Sequence, residues 1–225
     1  NGGSGSMSSD TATYDNNFMT KKNVFTKTGY LFNGWNEKAD GTGTTWSLSS
    51  AGVYESGKSW TWKYTNNITL YAQWKPITYT VKYNGNGATS GSTANSSHTY
   101  DQAKNLTTNG FTKTGYHFIG WATSPNGSVV YSNQQSVKNL TTTNGSTVTL
   151  YAVWQVNTYT VKYDANGGTG SMADTVHIYN GNVTLRKNTF TKTGYTFTGW
   201  YASRNNNGTT EWYYNDWNWY KEGSE

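Results

Sequence analysis

The sequence predicts a β-rich chain of small tandem units, with mostly antiparallel strands and little helix. Three observations carry this. The six letters FTKTGY stand at residues 25–30, 111–116 and 190–195, each followed after three residues by Gly-Trp. The spacings are 111 − 25 = 86 and 190 − 111 = 79 residues, a period that suits a tandem array whose units can each hold a modest core. Aromatic residues make up 16% of the chain against 13% charged, in a background of Thr, Asn, Gly, Ser and Tyr. Such a composition favours strands and tight turns over helices. Finally, apolar and polar residues alternate with period two in the recurring segments, as in half-buried strands.

The first copy opens on Asn1-Gly2, and the same pair recurs at Asn86-Gly87 and Asn166-Gly167. Asn-Gly suits the positive φ angles of a hairpin turn. After each FTKTG comes a strand with a constant aromatic face: Tyr30, Phe32 and Gly34, then Tyr116, Phe118 and Gly120, then Tyr195, Phe197 and Gly199. The other face varies, from Leu31 and Asn33 to His117 and Ile119 to Thr196 and Thr198. A constant apolar face is what a core requires. The glycine in it leaves room for a large neighbour, expected to be an aromatic ring. Thr28-Gly29, Thr114-Gly115 and Thr193-Gly194 read as the turn or bulge at which the strand starts. Trp35, Trp121 and Trp200 follow, and LYAQW at 70–74, matched by LYAVW at 150–154, adds Trp74 and Trp154. TYTVKY at 78–83 and again at 158–163 places Tyr79, Val81 and Tyr83 inward and Lys82 outward. By this reading the six repeated letters are scaffold, because a catalytic site is built once whereas a core is rebuilt in every unit.

Taken in order, TYTVKYDANGGTGSM, FTKTGYTFTGW and VTLYAVW resemble the internalin-type B repeat, also called the Listeria–Bacteroides repeat, over essentially the whole chain. The resemblance implies a β-rich α+β unit similar to the β-grasp (ubiquitin-like) fold, in the stalk of a bacterial cell-surface or secreted protein, without enzymatic activity. Three units are expected: 1–77, lacking the TYTVKY strand; 78–157, complete; and 158–225, lacking the LYAxW strand and ending in an aromatic-rich segment. A strand with three large apolar side chains contributes roughly 5–8 kcal/mol, against about 5–15 kcal/mol for a whole small domain. The end units therefore need a filler or flanking sequence. The alternatives are a fragment boundary, a shifted phase, or strands lent head to tail between chains.

Charge and composition narrow the functions. There is no cysteine, so neither disulfides nor a thiolate site is available. The net charge is +5 and the pI about 9.1, but the basic residues are scattered, and a nucleic-acid footprint is usually denser. No apolar run approaches the roughly 20 residues of a membrane span, and no signal or anchoring segment is visible. His98 and His177 correspond, yet the first copy has Ala12 there. The acids lie mostly in turn contexts such as Asp40-Gly41 and Asp164-Ala165. Lys82 and Lys162 face solvent and so are poor candidates for a buried Lys–Asn crosslink. No catalytic residue, metal site or cofactor is assigned.

The surplus aromatics are the candidate binding residues. Trp60, Trp62 and Tyr64 alternate onto one face, and Trp212, Tyr214, Trp217, Trp219 and Tyr220 crowd the end of the chain. Rings interleaved with Asn and Asp suit stacking on sugars; the competing reading is that they cover an irregular core. The expected role is a non-catalytic spacer and adhesive region joined by the short connectors Lys75-Pro76-Ile77 and Gln155-Val156-Asn157. The expected partners are neighbouring repeats, cell-wall or host glycans, host surface proteins, or further copies of the chain joined head to tail. The alternatives are a carbohydrate-binding adhesin and a self-assembling fibre subunit.

Overall fold

A computed structural model describes residues 1–46 and 59–201, together with two short backbone strands farther on. The first copy holds β1 (Asn17–Met19), β2 (Tyr30–Asn36), β3 (Thr45–Trp46), β4 (Ser59–Thr61) and β5 (Tyr71–Pro76). The second holds β6 (Thr78–Asn84), β7 (Ser90–Gly91), β8 (Ser96–Thr99), β9 (Lys104–Asn105), β10 (Phe111–Thr112), β11 (Tyr116–Ala122), β12 (Ser136–Val137) and β13 (Thr147–Val156). The third holds β14 (Thr158–Val161), β15 (Thr175–Ile178), β16 (Asn182–Val183), β17 (Trp200–Tyr201), β18 (Tyr213–Tyr214) and β19 (Tyr220–Lys221).

Every regular element among the described residues is a strand, which corrects the α+β expectation to all-β. The segment between β8 and β11 shows why no helix forms there. It carries Thr107, Thr108, Asn109 and Gly110, which are poor helix formers. It is also tied down by two short ladders, β9 with β12 and β10 with β7.

The second copy has a four-stranded sheet in the order β11-β13-β6-β8. Its two central strands are the first and last of the copy and run parallel, with Thr147 beside Thr80 and Tyr151 beside Asn84. The outer pairs are antiparallel. Because side chains alternate, β6 turns Tyr79, Val81 and Tyr83 inward and leaves Lys82 exposed. They meet Leu106, Trp121, Val137, Leu150 and Ala152 in one buried cluster.

Strict alternation would put Phe118 and Trp121 on opposite faces. The ladder between β11 and β13 shifts register between Phe118 and Gly120, a bulge that brings both rings onto the core, 4.8 Å apart. The first copy has the same shift between Phe32 and Trp35, and those rings lie 5.1 Å apart. The glycine in the bulge makes room, but not for a ring. A Cβ at Gly120 would stand 2.5 Å from Val129 and 2.8 Å from the Tyr131 carbonyl. The segment 129–131, bridged to Trp121 through Tyr131, folds over the bulge, so its aliphatic residue and backbone, rather than an aromatic neighbour, need the space.

The Asn-Gly pairs take the expected positive φ, at both Asn86 and Gly87 and at both Asn166 and Gly167, but the turn closes on itself from Gly85 to Ala88 and no two-residue hairpin follows, since β6 pairs with β8 rather than β7. Asn86 also ties the turn to the sheet, donating through Nδ2 to the carbonyls of Pro125 (2.8 Å) and Ala152 (2.9 Å). Asn1 repeats this with Ala39 and Ala72. In the third copy Phe190, Phe197 and Tyr163 pack on Trp200 at 6.1, 4.9 and 5.0 Å. Tyr195 to Gly199, however, do not form a strand there.

Gly120→Ala is expected to destabilise the second copy by about 2–4 kcal/mol, since its Cβ meets backbone at φ +151°. Gly145→Ala, with nothing within 4 Å, is expected to cost only about 1 kcal/mol. Urea unfolding of the two variants measures the difference.

Candidate functional site: the joint between repeats

The first-copy aromatics form a half-buried cluster. Trp46, paired across the ladder with Trp35, is 3% exposed. Trp60, Trp62 and Tyr64 lie against it at 5.4, 5.9 and 5.8 Å, and Phe18 meets Trp62 at 5.0 Å. Trp60 stands opposite Phe18 in the β1–β4 ladder, the place that buried Val137 takes opposite Lys104 in the β9–β12 ladder, so this ring occupies a core position. Glu37 collects the polar edges of the cluster, accepting hydrogen bonds from the Trp46 indole (3.0 Å) and the Tyr64 hydroxyl. Trp212, Trp217 and Trp219 lie outside the described residues. Tyr214 and Tyr220 appear only as strand positions opposite Trp200 and Val183.

A second arrangement occurs twice in the same form. β5 ends at Pro76 and β6 begins at Thr78, so Ile77 alone separates them; Asn157 alone separates β13 from β14. The expected three-residue connectors thus shrink to one, because Lys75-Pro76 and Gln155-Val156 still belong to strands. Both backbone groups of that one residue are engaged. Ile77 donates to the carbonyl of Gly29 (3.0 Å) and accepts from the amide of Tyr100 (3.0 Å). Asn157 donates to Gly115 (2.8 Å) and accepts from Tyr179 (2.9 Å).

The side chains close the joint. Gly29 and Gly115 have φ of +76° and +74°, and a Cβ on either would lie 2.2 or 2.0 Å from the ring of Tyr100 or Tyr179. The next residue of each motif, Tyr30 or Tyr116, meets the same ring edge-on at 5.9 or 6.4 Å. Lys27 and Lys113 cover the outer faces of Tyr30 and Tyr116 at 4.3 and 4.5 Å. FTKTGY is therefore more than a strand start: its Lys-Thr-Gly-Tyr end is the socket for the tyrosine of the following copy. That tyrosine recurs as Tyr14, Tyr100 and Tyr179, two residues beyond the Ala12/His98/His177 position.

The joints differ in chemistry. In the first, Ile77 is 2% exposed, and the Tyr30 hydroxyl donates to Asp101 (2.9 Å), which also accepts from Asn139 (2.7 Å). These hydrogen bonds hold the Asp101 carboxyl below its usual range, Asn139 contributing most, and raise the Tyr30 phenol. In the second, exposed Asn157 replaces Ile77 and bonds His117 at 2.8 Å, while Asn180 replaces Asp101.

The profile of the Listeria-Bacteroides repeat domain matches residues 1–73, 79–153 and 159–222, three times in tandem. The chain belongs to the Listeria-Bacteroides repeat family. That is not an enzyme family. Among the chain's relatives is a protein of Evansella cellulosilytica named as a Gly-rich membrane protein, 34% identical over 177 residues, or 78% of this chain. Another from the same organism, named as a membrane protein, is 30% identical over 140 residues, or 61% of this chain. The chain spans 19% of the length of each. No solved structure matches it.

In this Listeria-Bacteroides repeat chain the two corresponding histidines, His98 and His177, serve packing. His98 is 1% exposed, stacks on Tyr79 at 5.5 Å and bonds Ser96, and burial lowers its pKa. His177 repeats the contact with Tyr159 at 5.7 Å. No described helix is long and apolar enough to cross a membrane.

Burial alone would raise the Glu37 carboxyl, but hydrogen bonds from Tyr64, Trp46 and Thr44 hold it below its ordinary value. A depressed carboxyl stabilises the fold above its unfolded pKa, about 4.3, and that stabilisation is lost as pH falls through the folded value. The first copy should therefore weaken between about pH 5 and pH 3. Glu37→Gln should cost about 1 kcal/mol at neutral pH and flatten this acid dependence, as followed by tryptophan fluorescence during urea unfolding at several pH values.

Proposed function

We propose that this chain is a non-catalytic spacer in the stalk of a bacterial surface protein, holding more distal parts of the molecule at a set distance and direction. The single-residue connector carries this reading. A flexible linker leaves its backbone groups to solvent and lets domains reorient, whereas Ile77 and Asn157 are each hydrogen-bonded to both flanking copies. With only neighbour-to-neighbour contacts, stiffness becomes a property of each joint, as in other repeat arrays. The strand order β11-β13-β6-β8, with first and last strands parallel at the centre, supports a grasp-like unit built without its helix. The surface location draws on the family and on the relatives named as membrane proteins.

Spin labels test the spacer directly, since there is no native cysteine to remove. With labels at exposed Lys38→Cys and Ser128→Cys, pulsed-dipolar spectroscopy should give one narrow distance distribution across the first joint. Tyr100→Ala should broaden it at least twofold while leaving the circular dichroism of both copies intact. A distribution in the unaltered joint as wide as that of a flexible linker would refute the spacer.

A further inference from the structure

The first joint holds a groove that neither copy could form alone. Its volume is about 400 Å³, and its lining includes Ser4, Lys27, Thr28 and Tyr30 of the first copy and Tyr100 and Asp101 of the second. That volume falls within the roughly 300–1,000 Å³ of small-molecule sites, and the wall is mainly polar. The strand that leads into an Asn-Gly turn does not run through this place. In the second copy β6 pairs with Thr147 to Tyr151 of β13, whereas Tyr116, the counterpart of Tyr30, pairs with Val156 at the far end of that strand.

Several groups in the groove have hydrogen-bonding capacity that the protein does not use. Among the described residues Lys27 Nζ has neither a hydrogen bond nor an ion pair; it lies over the Tyr30 ring at 4.3 Å. The equivalent Lys192 instead donates to the carbonyl of Asn166 at 3.0 Å. The Thr28 hydroxyl also lacks a partner among the described residues. Its counterpart Thr114 meets Thr89 at 3.2 Å, whereas Ser4 is turned to Thr26 at 3.1 Å. Asp101 accepts from Tyr30 and Asn139, and a carboxylate with about four acceptor sites has room for more. Lys27 and Asp101 bring opposite charges, so the groove favours neither an anion nor a cation. What suits it is a compact neutral molecule whose groups both donate and accept, which is the chemistry of a sugar ring.

We propose that this groove binds one sugar ring of a neutral glycan. Asp101 accepts from one ring hydroxyl, Lys27 and Thr28 donate to others, and the rings of Tyr30 and Tyr100 supply the apolar wall. The site is separate from the Trp60, Trp62 and Tyr64 cluster. It rests on the locked joint, since each copy supplies part of it, and it makes that joint adhesive as well as stiff. The second joint is not a second site, because Asn180 replaces the carboxylate and the Thr114 hydroxyl is engaged.

The test is an amide-shift titration of the full chain with methyl glucoside, methyl galactoside, methyl mannoside and diacetylchitobiose. At least one should give saturable shifts at Lys27, Thr28, Tyr30, Tyr100 and Asp101 and none at Lys113, Thr114, Tyr116, Tyr179 and Asn180. The expected Kd is millimolar, as ligand efficiency allows for so few atoms. Lys27→Met, which keeps the stem over Tyr30, and Thr28→Val should each weaken binding about fivefold, the worth of one hydrogen bond. Lys82→Met, on an exposed position of β6, should leave it unchanged. Glycine and inorganic phosphate serve as charged probes. Absence of saturable shifts with all four sugars overturns the proposal. So do equal shifts at both joints, glycine or phosphate filling the groove in place of the sugars, or Lys27→Met and Thr28→Val both binding like the parent. The distance distribution across the joint is measured without sugar, so the two readings fail separately: a narrow distribution with no sugar shifts removes the site alone, and a broad one removes the spacer.

Discussion

No room exists for even a methyl group between Gly29 and the ring of Tyr100, or between Gly115 and Tyr179. That contact is the constraint around which the tandem arrangement is organised. Glycine is required twice over, by the left-handed φ and by the approaching ring. The ring in turn can reach the glycine only because a single residue links the strands on either side. Short connector, positive φ and seated ring are mutually dependent, and loss of one removes the geometric reason for the others.

Within a copy, the corresponding constraint is the parallel pairing of first and last strands. β6 and β13 lie side by side at the centre of the sheet, so the core of the second copy closes only when its whole length is in place. The last strand of one copy then runs, after one residue, into the first strand of the next. The central pair of the second copy is thereby tied at one end to β5 and at the other to β14, and a change in orientation at either joint would pull on the most buried strands of the second copy. The two joints differ in their chemistry. The first is apolar at Ile77 and clamped by Tyr30, Asp101 and Asn139. The second is exposed and polar at Asn157, which bonds His117, and has Asn180 in place of the Asp101 carboxylate.

Much of the unit was legible in the sequence, because a repeated chain carries its own controls. Alternation identified the inward face of β6, and Asn-Gly located the turns. The bulge was less accessible, since period-two reasoning assigns Trp121 to the wrong face and only the ladder register shows the shift at Gly120. The α+β expectation failed because it came from the resemblance alone, whereas local chemistry such as the Thr-Thr-Asn-Gly run at 107–110 favours strand and turn. The joint was missed for a different reason. Ala12, His98 and His177 vary and point to no contact, whereas tyrosine stands two residues later in all three copies. A column that is constant but lies outside the core pattern marks a contact with something beyond the copy, and Tyr14, Tyr100 and Tyr179 form such a column. For Trp60, the competing reading as core cover is visible in its match to Val137, since Ser59-Trp60 and Ser136-Val137 take the same ladder positions.

Residual dipolar couplings, measured for backbone amides of the first and second copies in one aligned sample, address the central claim most directly. A locked joint predicts that both sets fit a single alignment tensor of equal magnitude. Tensors of clearly different magnitude for residues 1–76 and 78–156 would mean that the two copies reorient independently, and that the ring on the glycine does not hold them.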